Sequence, residues 1–334
     1  MKQVVNNISI LLLFIQLSCS RNPLFPEDVV FSFEFPTETR PNSIVIDGEY
    51  GYVYISNCRF SKSNDNRKVQ KFNLKGELLS TVVNFVHNED GNYPCYNPLD
   101  LTLDAGHNLY ILVKSYFKFE NDEHWSPHSG FCIMKYDSEG DFQKEYDFAE
   151  FDMEWSPVAL AYNDGFLHVT NSIVMIKINK GNGQSIQIPL PTRTEGSSAW
   201  PEILTSDMEI DANENFWFVG QAAFDNQSVS CHITKMDPDC QNWFTFYSKG
   251  NTSRFGANLN NPGIAFDKRG NIYLATCYCK GLEIFNRSGM PLYDVDIHIE
   301  DRDRILPIDV AVGPDNRIYV LDGGYDLVYV FKRY

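Results

Sequence analysis

Six times along the chain a short apolar strand runs into a tight turn carrying Asp, Asn or Gly and returns as a second apolar strand. The copies read SIVIDGEYGYVYIS (43–56), DLTLDAGHNLYILV (100–113), ALAYNDGFLHVT (159–170), DMEIDANENFWFVG (207–220), GIAFDKRGNIYLAT (263–276) and DVAVGPDNRIYVLD (309–322). A repeated unit of this kind restricts the fold more than composition does. One copy cannot bury both of its apolar faces, so copies must stack on one another. The last residue of each first strand gives a common anchor: Asp47, Asp104, Asn163, Asp211, Asp267 and Gly313. Five copies continue into a third and a fourth strand, such as VQKFNL then ELLSTVV (69–83) or CIMKYD then DFQKEYDF (132–148), joined by Gly- or Asp-bearing turns. Four antiparallel strands in each of six units predict an all-β, six-bladed β-propeller.

The closure of the ring is also predicted. The sixth copy reaches Tyr334 directly after its third strand, LVYVFKRY (327–334), and lacks a fourth. VVFSFEF (29–35) precedes the first copy and has no blade of its own. It is expected to complete the last blade as the outermost strand, making 29–334 one closed domain with no free sheet ends.

Upstream, Lys2 precedes an apolar run from Ile8 to Leu17, too short to span a bilayer and suited to the core of a secretory signal. Residues 1–19 read as a signal peptide and 20–28 as a linker. Leu17-Ser18-Cys19-Ser20 resembles a bacterial lipobox, which makes Cys19 a lipidation candidate; ordinary cleavage nearby is the alternative. The expected location is the bacterial cell envelope, lipid-anchored on the periplasmic side or at the outer-membrane surface, with the anchor as the sole membrane contact. Of the seven remaining cysteines at least one must be unpaired, and Cys277-Tyr278-Cys279 lacks the second ligand pair of a zinc site. Cys58 and Cys95, on connections of neighbouring blades, are expected to form a disulfide.

PIDVAVGPDNRIYVLDGGYDLVYVF (307–331), and next Pro262 to Phe285, resemble the repeats of NHL-type six-bladed propellers. With the signal and Cys19, the whole is similar to the six-bladed propeller lipoproteins of bacterial envelopes. That family includes ring-opening and lactone hydrolases, amidating lyases and pure binding proteins, so the resemblance implies the fold and leaves the activity open. The metal hydrolase branch, similar to gluconolactonases, opens its first blade with Glu-Gly-Pro. Here Arg40-Pro41-Asn42 stands in that place, which turns the expectation toward binding.

Connections between first and second strands, and between third and fourth, are short. The other two classes contain the long segments, among them 57–68, 84–98, 114–131, 147–157, 189–204 and 249–262, and propeller connectivity sends both classes to one end of the ring. That end is expected to bind a ligand through Tyr93, Tyr96, Trp125, Trp155, Trp200, Arg193, Arg254 and Arg302, since flat aromatic area and forked guanidinium donors suit a glycan, a peptide or an envelope protein. A formal charge of −16 excludes a nucleic-acid backbone as partner, and the chain is expected to act as a monomer. Four residues before the anchors, alternate copies carry Asp100, Asp207 and Asp309, while the others carry Ser43, Ala159 and Gly263. Three carboxylates at one level could hold Ca²⁺, or could satisfy backbone groups nearby. His124 and His128 are spaced as metal ligands but enclose Pro127, which denies them a helix; His168 reads as a packing residue. No G-x-S-x-G or H-E-x-x-H occurs. Two functions follow: a tethered binding protein, or a metal-assisted hydrolase or lyase of the NHL and gluconolactonase-like kind.

Overall fold

The computed structural model describes residues 29–38, 40–58, 67–85, 95–116, 130–147, 157–171, 173–190, 205–225, 228–247, 262–276, 281–297, 302 and 305–334. Every regular element among them is a strand. The first blade is β2 (Pro41–Asp47), β3 (Tyr52–Asn57), β4 (Lys68–Asn73) and β5 (Leu78–Asn84), and the second β6 (Cys95–Leu103), β7 (Leu109–Tyr116), β8 (Phe131–Tyr136) and β9 (Phe142–Asp147). The third is β10 (Ala159–Asn163), β11 (Phe166–Thr170), β12 (Val174–Asn179) and β13 (Ser185–Pro189). The fourth is β14 (Asp207–Ile210), β15 (Phe216–Asp225), β16 (Ser228–Met236) and β17 (Trp243–Tyr247). The fifth is β18 (Gly263–Phe266), β19 (Ile272–Thr276), β20 (Gly281–Phe285) and β21 (Pro291–Asp296). The sixth joins β22 (Pro307–Val312), β23 (Arg317–Asp322) and β24 (Leu327–Arg333) to β1 (Val29–Pro36), in the order β1-β24-β23-β22. The head strand therefore closes the last blade, antiparallel to β24 with Val29 opposite Arg333 and Pro36 opposite Leu327.

Alternation along each strand sends apolar side chains to both faces of a blade, and every face meets a neighbour. Six apolar clusters result, one at each junction. The junction of blades six and one, where the ends of the chain meet, is packed like the rest: Phe35, Ile44, Val53, Ile55, Tyr319, Leu321, Val328 and Val330 are buried together. Exposure rises outward, and β5 and β9 show mostly exposed side chains.

The anchor aspartates stitch the tight turns. Asp104 Oδ1 accepts the N–H groups of Gly106 and Asn108 at 2.9 and 3.0 Å, and Oδ2 accepts Tyr110 Oη–H at 2.9 Å and Lys180 Nζ at 2.8 Å. Burial pushes its carboxyl up, but Lys180, the backbone and side-chain amides of Asn108 and the Tyr110 hydroxyl prevail together and hold it at about 2, below the usual carboxylate range. Asp211 repeats the pattern with Trp217 Nε1 and Asp267 with Tyr273, each aromatic six residues on.

Long connections do gather at the opposite pole, but less evenly than the sequence suggests. Second-to-third connections are long only in blades one and two, from Asn57 to Lys68 and from Tyr116 to Phe131. Blades three, five and six link those strands in a few residues. In blade four, β15 and β16 run on as a ribbon until Asp225 faces Ser228. An extended hairpin satisfies its own backbone, so residues that read as loop continue as strand.

Candidate functional site

The six first strands are innermost, and their opening residues surround the channel mouth on the pole of the long connections. A cavity of about 440 Å³ lies there. Its upper ring is Asn42, Leu99, Val158, Ser206, Pro262 and Ile308, one residue before the level of Ser43, Asp100, Asp207, Gly263 and Asp309, and Arg40 and Cys58 stand at its edge in blade one. Adjacent blades thus alternate a carboxylate with a small residue.

That alternation has a structural cause. Asp100 accepts its own neighbour's N–H, Leu101, at 2.8 Å and reaches across to Leu160 N–H at 2.7 Å. Asp207 does the same with Met208 at 2.7 Å and Ile264 at 2.8 Å. Asp309 binds Val310 at 2.7 Å and Ile44 at 2.8 Å. Each carboxylate therefore clasps its blade to the next: two to three, four to five, six to one. The small residues leave room for the following carboxylate. Ser43 Oγ–H donates to Asp100 Oδ1 at 2.8 Å, and a Cβ on Gly263 would collide with the Asp309 carboxylate.

The same burial that makes these hydrogen bonds strong resists charge. Burial lifts Asp207 to about 6. Burial and then the charge of Asp207 lift Asp100 to about 8. Asp309 is raised well above the usual carboxylate range by burial and by both other carboxylates. Glu209, two residues beyond Asp207, is raised for the same reasons. The corresponding positions of the other first strands are Val45, Thr102, Ala161, Ala265 and Ala311, so this lone acid was legible in the aligned repeats but passed over. As placed, the three aspartates fit the backbone-clasping role and do not fit a calcium site. Their oxygens are engaged by N–H donors, and among the described residues no three of His, Cys, Asp and Glu stand where they could hold one ion.

Other expected site residues take different places. Arg302 donates to Glu34 through both terminal nitrogens at 2.6 Å, and to Tyr329 Oη at 3.0 Å. Its fork fastens the closing strand β1 to the blade and is not presented to a ligand. Tyr96 is half-buried, its ring 5.8 Å from that of Phe85 beside buried Cys132 and Tyr136, and burial raises its hydroxyl. It glues the start of β6 to the blade. Cys58 is a free thiol, so the expected disulfide with Cys95 is not formed; burial raises it, against a smaller opposing effect of Arg40. His168 is buried with its ring edge-on to Phe216 at 4.9 Å, and burial, then Lys177, lowers it to about 3. Tyr93, Trp125, Trp155, Trp200, Arg193, Arg254, His124, His128, Cys19, Cys277 and Cys279 lie outside the described residues. Sequence reasoning missed Arg40, Asn42 and Ser206, because Arg40-Pro41-Asn42 was read for what it lacks rather than for where β2 begins.

No protein-family model matches the chain, and no curated protein matches it in sequence. Solved structures do match. A Bacteroides thetaiotaomicron protein of unknown function superposes with a TM-score of 0.55 at 12% identity, covering 91% of this chain and 75% of that one. A streptogramin B lyase gives 0.55 at 12%, with 92% and 99% covered. The soluble aldose sugar dehydrogenase of Escherichia coli gives 0.51 at 12%, with 91% and 99% covered. These likenesses establish the class, a six-bladed β-propeller, and at such identities nothing finer.

Proposed function

We propose that the protein is a binding propeller, exported and held at the bacterial envelope through Cys19, that takes up a glycan, peptide or protein partner at the pole of the long connections. The observation that carries this reading is the cavity at the channel mouth. It combines hydrogen-bonding groups with aliphatic walls on the innermost strands, where a rigid ring fixes their positions. Beneath it each carboxylate accepts one backbone N–H from its own blade and one from the next, a task that holds the ring together. The alternative, a metal-assisted hydrolase or lyase, draws on the raised carboxyls of Asp100, Asp207 and Asp309 at the cavity and on fold neighbours that are a lyase and a sugar dehydrogenase by name.

The test is capture of partners from solubilised envelope by the intact chain and by Val158→Trp, which fills the mouth from blade three. Loss of a captured partner in the variant, with an unchanged melting temperature, supports the reading. Equal capture by both proteins removes the mouth from the function. Fatty-acid labelling that disappears in Cys19→Ala tests the anchor.

A further inference from the structure

The cavity sets a cation on one side of the ring opposite the least buried of its three carboxylates on the other. Arg40, in blade one, is the only cation among the described residues that line it. No described carboxylate pairs with its guanidinium. Its backbone is left-handed, φ 57°, a conformation a branched-free L residue adopts only when held there. It is held from both sides: its N–H donates to Asp326 Oδ1 at 2.8 Å, and its carbonyl accepts Cys58 N–H at 3.0 Å. The side chain thus leaves the rim from a fixed stem.

Blade four, three places round a ring of six, faces blade one across the axis. It contributes Asp207, which is half-buried where Asp100 and Asp309 are buried. Asp207 spends two acceptor sites on N–H groups, and among the described residues no side-chain donor reaches it as Ser43 reaches Asp100. A carboxylate offers about four such sites, so Asp207 keeps capacity for a donor arriving from the cavity. Between the two poles the walls are aliphatic: Leu99, Val158, Pro262 and Ile308.

A simple anion would leave Asp207 without a donor, and a simple cation would leave Arg40 without an acceptor. A molecule charged at both ends satisfies each pole. We infer that the cavity binds a small zwitterion, an α-amino acid or short free peptide with an aliphatic side chain. Its ammonium lies toward Asp207, its carboxylate on Arg40, and its side chain against the wall of Leu99, Val158, Pro262 and Ile308. The volume of about 440 Å³ lies within the roughly 300–1,000 Å³ of small-ligand sites. This inference rests on the reading of the mouth pole as the working face and names what that face receives.

The experiment is titration calorimetry of the full chain with the dipeptide Ala-Leu, its N-acetyl form and its C-terminal amide. Ala-Leu is expected to bind, and either cap to weaken binding roughly tenfold or more, since a hydrogen bond to a charged group is lost at one pole. Arg40→Gln should erase the difference between Ala-Leu and its amide while preserving the acetylation effect, with an unchanged melting temperature. Ala-Leu should also slow alkylation of Cys58, read by peptide mass. Capped and free forms binding alike, or Arg40→Gln preserving the amide discrimination, would overturn the proposal. Absence of Ala-Leu binding at millimolar concentration sinks it too; if envelope partners are still lost in Val158→Trp, the broader reading survives that result.

Discussion

Replacing Asp309 with Ala tests whether carboxylates hold the ring together. Asp309 spans the junction of blades six and one, where the two ends of the chain meet, and accepts the buried N–H groups of Val310 and Ile44. The variant leaves both donors without an acceptor. A buried polar group left unsatisfied costs about 1–3 kcal/mol, so two cost about 2–6 kcal/mol. In a domain of this size that lowers the melting temperature by roughly 2 °C per kcal/mol, or about 4–12 °C. The comparison is Asp137→Ala, whose carboxylate accepts two turn N–H groups that water can reach, and whose loss should be well under half as large. A pH dependence accompanies the effect. Asp309 is raised in the folded chain above its unfolded value of about 4, so the folded state favours the protonated form. Its contribution is complete below about pH 4 and declines as pH rises toward the folded value. The penalty for Asp309→Ala should therefore be larger at pH 5 than at pH 8. Calorimetric melting of both variants at the two pH values decides the matter. Equal losses from Asp309→Ala and Asp137→Ala, or a penalty that grows with pH, would refute the clasp.

Gly263→Ala should destabilise by roughly 1–3 kcal/mol in urea titration, because its Cβ would strike the Asp309 carboxylate and backbone. Arg302→Ala should cost only about 1 kcal/mol, since its pair with Glu34 is partly exposed, yet limited proteolysis should release β1 several times faster. His168 is lowered below its unfolded value of about 6.5, so its stabilising contribution is present above that pH and lost as pH falls toward about 3. His168→Gln should accordingly flatten the stability profile between pH 6 and pH 4 in denaturant titrations. Intact mass without reductant should show Cys58 alkylated slowly, at a fraction of the rate of a free thiol peptide.

The blades were legible because a strand's two-residue period and an Asp-bearing turn leave a local imprint, repeated six times. Closure by β1 was legible from two local facts, a missing fourth strand and a strand without a blade. The Asp100, Asp207 and Asp309 level was found by aligning anchors, but its role was not, because the partners are N–H groups of the neighbouring blade, about sixty residues away for Leu160 and 265 for Ile44. Arg302 was misjudged for the same reason: Glu34 lies 268 residues off. The ribbon of β15 and β16 was missed because polar residues in GQAAFDNQS imitate a loop, while pairing with the facing strand decides their conformation.

The register of β1 against β24 fixes the pole of the ring at which the head strand begins. Val29 lies beside Arg333, where third strands reach the tight turns, and Pro36 delivers the chain to the cavity side. Anything attached ahead of Val29 therefore departs from the underside of the disc. A leash of about ten residues from Cys19 spans at most roughly 35 Å. With the anchor proposed at Cys19, such a leash would join the disc on the side of the stitched turns, the pole away from the mouth.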